Sequence, residues 1–146
     1  MSISLKAVDT KKTNAMFDDM IKRMNNPQKA MGQVALKAWS DVQDHFKKEE
    51  GPGGKWKSLR PATVAARRKG KKKSRGNKIL QDTGNLRNRI LFRNNGKDAE
   101  VVTSVIYAAT HNYGRDNIPK RTFLFLSKEA IKSIMTTLQR FIRMGG

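Results

Sequence analysis

The residues that could take part in catalysis or metal binding are few and scattered along the chain. There are two histidines, His45 and His111, and no cysteine, so a zinc site lacks the residues needed to complete it. His45 has Asp41 and Asp44 close to it in the sequence, but this spacing matches no zinc-binding helix motif. We therefore predict no metal and no cofactor, and we expect His45 to be an exposed or half-buried helix residue.

The carboxylates offer one further catalytic possibility, because a two-metal nuclease needs several of them converging on one place. Their sequence spacing shows no such convergence. On basic helices they more simply moderate the repulsion between lysines and arginines, so we predict that the protein is not an enzyme. The residues concerned are Asp18, Asp19, Asp41, Asp44, Glu49 and Glu50.

The strongest compositional signal is positive charge. The formal net charge is +19, from 31 basic and 12 acidic residues, and this favours a nucleic acid or an acidic protein surface as partner. Residues 70–78 contain no apolar side chain. Since they have nothing to bury in a core, we predict a mobile basic loop. Its lysines and arginine either contact DNA phosphates or an acidic partner, or are simply solvated. They are Lys71, Lys72, Lys73, Arg75 and Lys78.

Helical periodicity predicts the elements that would position these residues within one domain, residues 1–146. An apolar stripe predicts a first helix that ends at residues 25–27, and a second helix runs from Pro27 to near Glu50. A short helix follows at residues 61–69. Ser127 is a plausible N-cap for a last helix, whose predicted apolar face is Ile131, Ile134, Met135, Leu138 and Ile142.

A β-hairpin is predicted in the centre of the chain. Residues 89–93 and 100–105 are rich in β-branched and aromatic side chains, and Asn95-Gly96 favours a two-residue turn that places Arg93 opposite Asp98. On this register Ile90 and Phe92 would share a face with residues 99, 101 and 105. Alternation at residues 2–8 predicts a further strand. Trp56, after a glycine-rich turn, is predicted as a packing anchor rather than a base-stacking residue.

No stretch approaches the roughly 20 apolar residues that a membrane-spanning helix needs. The first residues also lack the apolar core of a signal peptide. We therefore expect a soluble protein that is not exported and has no membrane partner.

Three short segments carry a family resemblance. They are LQDTGNLR at residues 80–87, YAATHNYG at residues 107–114 and IPKRTFL at residues 118–124. In this order and at this spacing they resemble the TG-x-LR, YA-x-x-H-x-x-G and IP-x-R-x-F-L motifs of the phage virion morphogenesis family. These are the tail-completion and head–tail joining proteins of tailed bacteriophages. The resemblance covers roughly residues 45–130.

The resemblance implies a structural virion protein, a tail-completion or neck component that forms a ring of about six subunits around the DNA channel. Its partners would be copies of itself, neighbouring neck and tail-tube proteins, and genomic DNA bound without sequence specificity. It would reside in the virion, and in the host cytoplasm during assembly. A stand-alone nucleic-acid-binding protein is the alternative that charge alone would explain, and a metal-dependent nuclease has little support.

The resemblance also completes the predicted fold, which is α+β. A small antiparallel sheet, made of the N-terminal strand, the hairpin and a strand near residues 121–126, would pack against long helices.

Six residues of the three segments are candidates for specific roles. Gly84 and Gly114 are predicted to adopt backbone angles that other residues resist. Arg87 and Arg121 either form intrachain salt bridges or contact a neighbouring subunit. His111 and Tyr113 are further candidates for that subunit interface.

Overall fold

The computed structural model describes residues 10–69 and 76–145. Within these ranges the chain forms helices and two small antiparallel sheets of two strands each, which is the predicted α+β class. The predicted N-terminal strand at residues 2–8 lies outside the described residues. So do residues 70–75, which make up most of the predicted basic loop.

The two long N-terminal helices have the predicted bounds. Helix α1 spans Thr10–Asn25 and α2 spans Gln28–Lys48, and the break between them falls at Pro27, which disfavours helical angles in the residue before it. Helix α2 ends at Glu49, whose φ of 55° lies in the left-handed region. The Glu49 side chain accepts a 2.6 Å hydrogen bond from the Ile79 N–H. This hydrogen bond links the chain after the predicted basic loop to the end of α2.

Short elements connect α2 to the last helix. Strands β1 and β2 form a small hairpin around the predicted glycine-rich turn, and the predicted helix at residues 61–69 is present as α3. The bounds are β1 Glu50–Gly51, β2 Gly54–Lys55, α3 Pro61–Lys69, α4 Asn85–Asn88, β3 Ile90–Asn94, β4 Ala99–Thr103, α5 Ala108–Tyr113 and α6 Lys128–Met144.

The central hairpin is present, but its predicted turn and register are wrong. Arg93 pairs with Glu100 and not with Asp98. The reason is the Asn95 side chain, whose Oδ1 accepts hydrogen bonds from the N–H groups of residues 97 and 98 at 3.0 and 2.7 Å and so lengthens the connection. Since the register moves by two residues, the side chains keep their faces, and Phe92 lies opposite Val101.

The predicted strand near residues 121–126 is also wrong, because this segment forms no strand. Its backbone groups have other partners. The N–H groups of Phe123 and Leu124 donate to Asn112 Oδ1 at 3.1 and 3.0 Å, and the Thr122 carbonyl accepts from the Trp56 indole at 3.0 Å. Because these backbone groups are bound to Asn112 and Trp56, they are not available to a sheet ladder.

The main core lies where α2, the hairpin and the three motif segments meet. Its centre is Phe46, which is fully buried and contacts Trp56 edge-on at 5.6 Å and Phe123 at 5.3 Å between ring centroids. Trp56 is therefore a packing residue, as predicted. The remaining buried members of this cluster are Val42, Ile79, Leu86, Ile90, Val105 and Ala108.

Helix α6 packs along α2 and begins at the predicted N-cap. Ser127 Oγ accepts from the Ala130 N–H at 3.1 Å and donates to Asp41 Oδ1 at 2.6 Å, while the Ser127 N–H donates to Asp41 Oδ2 at 2.7 Å. The predicted apolar face of α6 is only partly covered. Ile131 and Met135 remain about half exposed.

Candidate functional site

The three motif segments converge on one cleft with a volume of about 870 Å³. Segments far apart in the sequence thus form its walls together, and α3 with the chain before it closes one side. Lining residues from the motifs include Thr83, Gly84, Tyr107, His111, Pro119 and Arg121.

The first motif forms the turn into α4. Gly84 precedes this helix with φ 77° and ψ −1°, angles that cost other residues free energy because their Cβ crowds the following carbonyl. The next residue, Asn85, donates from Nδ2 to the Tyr107 hydroxyl at 3.0 Å. This hydrogen bond joins the first motif to the second across the cleft.

The second motif supplies a buried amide that sequence reasoning missed. Asn112 is 5% exposed, and its Oδ1 accepts from two consecutive N–H groups of the third motif. Its backbone carbonyl accepts from Thr122 Oγ1 at 3.1 Å. The sequence contained one indication of this role. Asn112 directly follows His111 inside a motif, and an amide side chain there can bind backbone groups in place of a neighbouring strand.

Gly114 ends α5 at a point where two motif segments touch backbone to backbone. Its φ of 79° and ψ of 155° are angles that only glycine adopts readily. A Cβ at this position would lie 3.0 Å from the Lys120 nitrogen. The predicted conformational role of this glycine therefore has two physical causes, the backbone angles and the close approach.

Arg121 is buried, at 6% exposed, and it links the third motif to the segment after β2. Its Nε donates to the Lys57 carbonyl at 2.9 Å and its Nη2 to the Ser58 carbonyl at 3.3 Å. Burial, and then the charge of Arg67, lowers the pKa of the guanidinium. The intrachain partners are thus carbonyl oxygens rather than a carboxylate, and a contact with a neighbouring subunit stays a prediction.

Arg87 lies on the other side of its motif, against α2. It donates to Gln43 Oε1 at 3.0 Å and to Gln81 Oε1 at 3.2 Å. Gln81, which sequence reasoning also missed, is 1% exposed and donates to the Phe46 carbonyl at 2.7 Å. Arg87 therefore orients a buried glutamine, and any contact it makes with another subunit remains a prediction.

His111 faces the cleft with an unusual environment for a histidine. Its Nδ1 is buried and has no hydrogen-bond partner in the described part of the chain, and its ring lies edge-on to Tyr107 at 5.8 Å. Burial, and then the charge of Arg121, lowers the pKa of His111 below 6.5. This environment favours the neutral form of the imidazole.

His45 is buried, so the prediction that it is exposed or half-buried is wrong. It is 4% exposed because the segment before α6 covers this side of α2, and its ring stacks on Phe125 at 3.8 Å. Its Nε2 lies 3.2 Å from the Phe125 carbonyl oxygen and 3.4 Å from Asp41 Oδ2. This histidine belongs to the packing between α2 and the segment before α6.

Three of the carboxylates considered for a nuclease have separate partners. Asp41 binds Ser127 and Glu49 binds the Ile79 N–H, whereas Asp44 pairs with Lys47 at 2.6 Å, a hydrogen bond that lowers the pKa of Asp44. Over residues 10–69 and 76–145, no group of three or more potential metal ligands comes together.

Two of the predicted contact residues are exposed. Tyr113 is 71% exposed, which leaves this interface candidate open to a partner. Lys78 is exposed, and its carbonyl accepts from Arg67 of α3 at 2.8 Å. Lys71, Lys72, Lys73 and Arg75 lie outside the described residues.

Comparison with known proteins gives one family. The model of the phage virion morphogenesis family matches residues 8–143. No curated protein and no solved structure matches the chain. Among the described helices, none is long and apolar enough to cross a membrane.

Proposed function

Because the chain belongs to the phage virion morphogenesis family, we propose that it is a tail-completion or neck component that forms a ring at the head–tail junction. A role in virion assembly, and association with the virion, follow from membership of the family. The finer proposal is a closed ring of about six copies around the channel through which the genome passes.

The observation that carries the proposal is the match over residues 8–143. The contacts that the motif residues make within the chain support it. Several polar groups of the motifs form hydrogen bonds within the chain itself. Asn112 caps the third motif and Arg121 binds carbonyl oxygens of the segment after β2. These contacts fix loops relative to each other, which supports a structural rather than a catalytic role.

The positive charge suits the proposed position. With a formal net charge of +19, the chain would be attracted to DNA phosphates without reading their sequence. We propose that Lys71, Lys72, Lys73, Arg75 and Lys78 contact the genome or an acidic neighbouring ring. We also propose Tyr113 as a subunit contact, since an exposed tyrosine is typical of protein interfaces.

Cryo-electron microscopy of the intact particle tests the proposal. A closed ring of this chain between the capsid portal and the tail tube is the expected result. A particle in which the protein is absent, or is present as a single asymmetric copy, contradicts it. Particles grown without the protein provide the control, and we expect them to accumulate unjoined heads and tails.

The high charge also favours a second candidate function, a stand-alone nucleic-acid-binding protein. A salt titration of DNA binding by the purified protein separates the two. Tight binding at physiological salt supports the second function, because binding that rests on phosphate contacts weakens steeply as salt is added. Weak binding under that condition supports a protein that meets DNA only inside the assembled particle.

A further inference from the structure

Arg121 is a buried cation in the cleft between the three motif segments, which we call the motif cleft. It is 6% exposed, and it donates from Nε and Nη2 to backbone carbonyls. Within the described ranges, its Nη1 has no hydrogen-bond partner and no carboxylate pairs with its guanidinium. A buried charge is unfavourable unless an opposite charge compensates it. An anion bound beside Arg121 would provide this compensation.

A second guanidinium strengthens the positive potential of the motif cleft. Arg67 of α3 is also a lining residue, and its side chain is 13% exposed. Burial and then the charge of Arg67 lower the pKa of Arg121, while burial and then the charge of Arg121 lower the pKa of His111. Positive charges therefore act on one another in this part of the cleft, and the same potential attracts an anion.

The carboxylates of the motif cleft leave Arg121 uncompensated. The lining contains two of them against four cationic side chains. Asp82 Oδ1 lies 3.5 Å from Arg67 Nε, and Asp116 Oδ2 lies 3.5 Å from Arg115 Nε. Both carboxylates are exposed to solvent, so each is paired elsewhere and neither is buried with Arg121. The cationic lining residues are Lys57, Arg60, Arg67 and Arg121.

Two hydroxyl groups add hydrogen-bond donors to the lining of the motif cleft. The Tyr107 hydroxyl accepts from Asn85 Nδ2 at 3.0 Å, and Thr83 Oγ1 accepts from the Asn85 N–H at 3.3 Å. Because each hydroxyl oxygen already accepts a hydrogen bond, its own proton remains available for donation. Together with Nη1 of Arg121, the lining thus offers donors on three residues, which suits an anionic acceptor.

The walls of the motif cleft favour an anion carried by a peptide. Its volume of about 870 Å³ lies in the range of roughly 300–1,000 Å³ typical of binding clefts. A DNA duplex is poorly suited to reach the buried guanidinium, because its phosphates lie on a broad surface whose major groove alone is about 12 Å wide. An acidic side chain with apolar neighbours fits both the cationic and the apolar lining. The apolar lining includes Leu59, Leu80, Ile118 and Pro119.

We propose that the motif cleft binds an aspartate or glutamate side chain of a partner protein, flanked in the partner's sequence by apolar residues. The carboxylate accepts from Nη1 of Arg121, and the hydroxyl groups of Thr83 and Tyr107 are further donors. Guanidinium groups suit this role because their planar donors match carboxylate geometry. The partner is not a second copy of this chain, since two chains with a formal net charge of +19 repel each other.

This inference rests on the proposed function only for the partner being a virion protein, because the site itself is defined by the motif cleft. The purified full-length protein is titrated with 3-phenylpropionate, which joins a carboxylate to an apolar ring. The neutral 3-phenylpropionamide is the matched control. Nuclear magnetic resonance of the histidine Cε1 protons measures the pKa of His111, and the His111→Gln variant assigns its resonance.

We expect saturating 3-phenylpropionate to raise the pKa of His111 by about 1, because a nearby anion favours the imidazolium. The amide should leave this pKa unchanged at the same ionic strength. His45 serves as an internal control, since its ring stacks on Phe125 and is not part of the lining. Its resonance should not respond to either compound.

Two adjacent arginines of α3 provide a matched pair of variants. Arg67 lines the motif cleft, whereas the exposed Arg68 does not, and glutamine removes the same charge from each. Arg67→Gln should weaken 3-phenylpropionate binding roughly tenfold, as expected for a contact that involves charge, and Arg68→Gln should not weaken it. Tyr107→Phe removes only a hydroxyl from a 43% exposed ring. It should weaken binding about twofold to tenfold, and it decides the matter if Arg67→Gln loses the wild-type circular dichroism spectrum.

Several results would overturn the proposal. An equal response to the amide, an equal response of His45, or no saturable response of His111 would mean that the cleft has no carboxylate site. Equal weakening by Arg67→Gln and Arg68→Gln would assign the effect to overall charge. Binding of inorganic phosphate at tenfold lower concentration than 3-phenylpropionate would reassign the site to the phosphates of a nucleic acid.

The test separates this inference from the proposed function. If the virion contains a closed ring of this chain but the cleft binds no carboxylate, the inference is wrong and the function stands. If the carboxylate binds as expected but the protein is absent from the virion, the inference stands and the function fails.

Discussion

Replacing Gly114 by alanine should destabilise the fold strongly, because this glycine is constrained twice. Its φ of 79° and ψ of 155° cost a residue with a Cβ about 1–3 kcal/mol. The new methyl would also lie 3.0 Å from the Lys120 nitrogen and 3.2 Å from its Cα, and relieving this overlap with backbone adds about 1–2 kcal/mol. The reduced freedom of the unfolded chain returns about 0.4–1 kcal/mol.

The net loss is therefore about 2–4 kcal/mol, which corresponds to a fall in melting temperature of roughly 3 °C per kcal/mol for a chain of this length. Urea denaturation gives the free energy of unfolding directly, and differential scanning calorimetry gives the melting temperature. We expect a fall of roughly 6–12 °C.

Two other glycines serve as controls. Gly53 has no atom within 4 Å of its Cβ position, and Gly96 has a φ of 90° but only an ordinary 3.8 Å contact. Alanine should be nearly neutral at Gly53 and should cost about 1 kcal/mol at Gly96. A Gly114→Ala protein that melts like the Gly53→Ala protein would refute the reasoning.

Three further predictions concern side chains of the motif cleft and of α6. Asn112→Ala should cost about 2–4 kcal/mol in urea denaturation, because two N–H groups, that of the buried Phe123 among them, lose their acceptor, whereas alanine at the exposed Asn117 should be nearly neutral. Ser127→Ala should cost about 1–2 kcal/mol, since it removes the N-cap of α6 and a partner of Asp41, and Ser127→Thr should keep most of that stability. Since burial holds the pKa of folded His111 below its ordinary 6.5, protonation favours the unfolded chain. The free energy of unfolding should therefore fall as the pH drops below about 6.5. The fall should be smaller in His111→Gln, and melting curves at neutral and acidic pH measure the difference.

Each of these has a contrary outcome. An alanine variant of Asn112 with wild-type stability would mean that water replaces the amide without cost. Equal stability of the alanine and threonine variants at Ser127 would remove the capping role. The same pH dependence with and without His111 would assign that dependence to other groups.

Patterns that act locally could be predicted from the sequence. The break at Pro27, the N-cap at Ser127 and the two faces of the central hairpin all depend on neighbouring residues, and all are found. Local rules work at these positions because no distant contact competes with them.

Two of the errors arise where a side chain binds the backbone groups that a neighbouring strand or turn residue would have bound. Asn112 binds the two N–H groups that a strand near residues 121–126 would have used, and Asn95 extends the turn of the hairpin. His45 carries no local sign of burial, and its environment is set by a segment 80 residues later. Amide side chains and long-range packing of this kind leave no periodic pattern to detect.

The cap of α6 has a consequence for the order in which the chain becomes stable. Asp41, which binds both the N–H and the hydroxyl of Ser127, comes 86 residues earlier. The first turn of α6 therefore gains its full set of hydrogen bonds only when the middle of α2 is already in place. During translation, the residues of α2, of both small hairpins and of all three motifs are synthesised before this contact can form. We expect α2 and the start of α6 to open and close as one cooperative unit, with matching rates of amide hydrogen exchange.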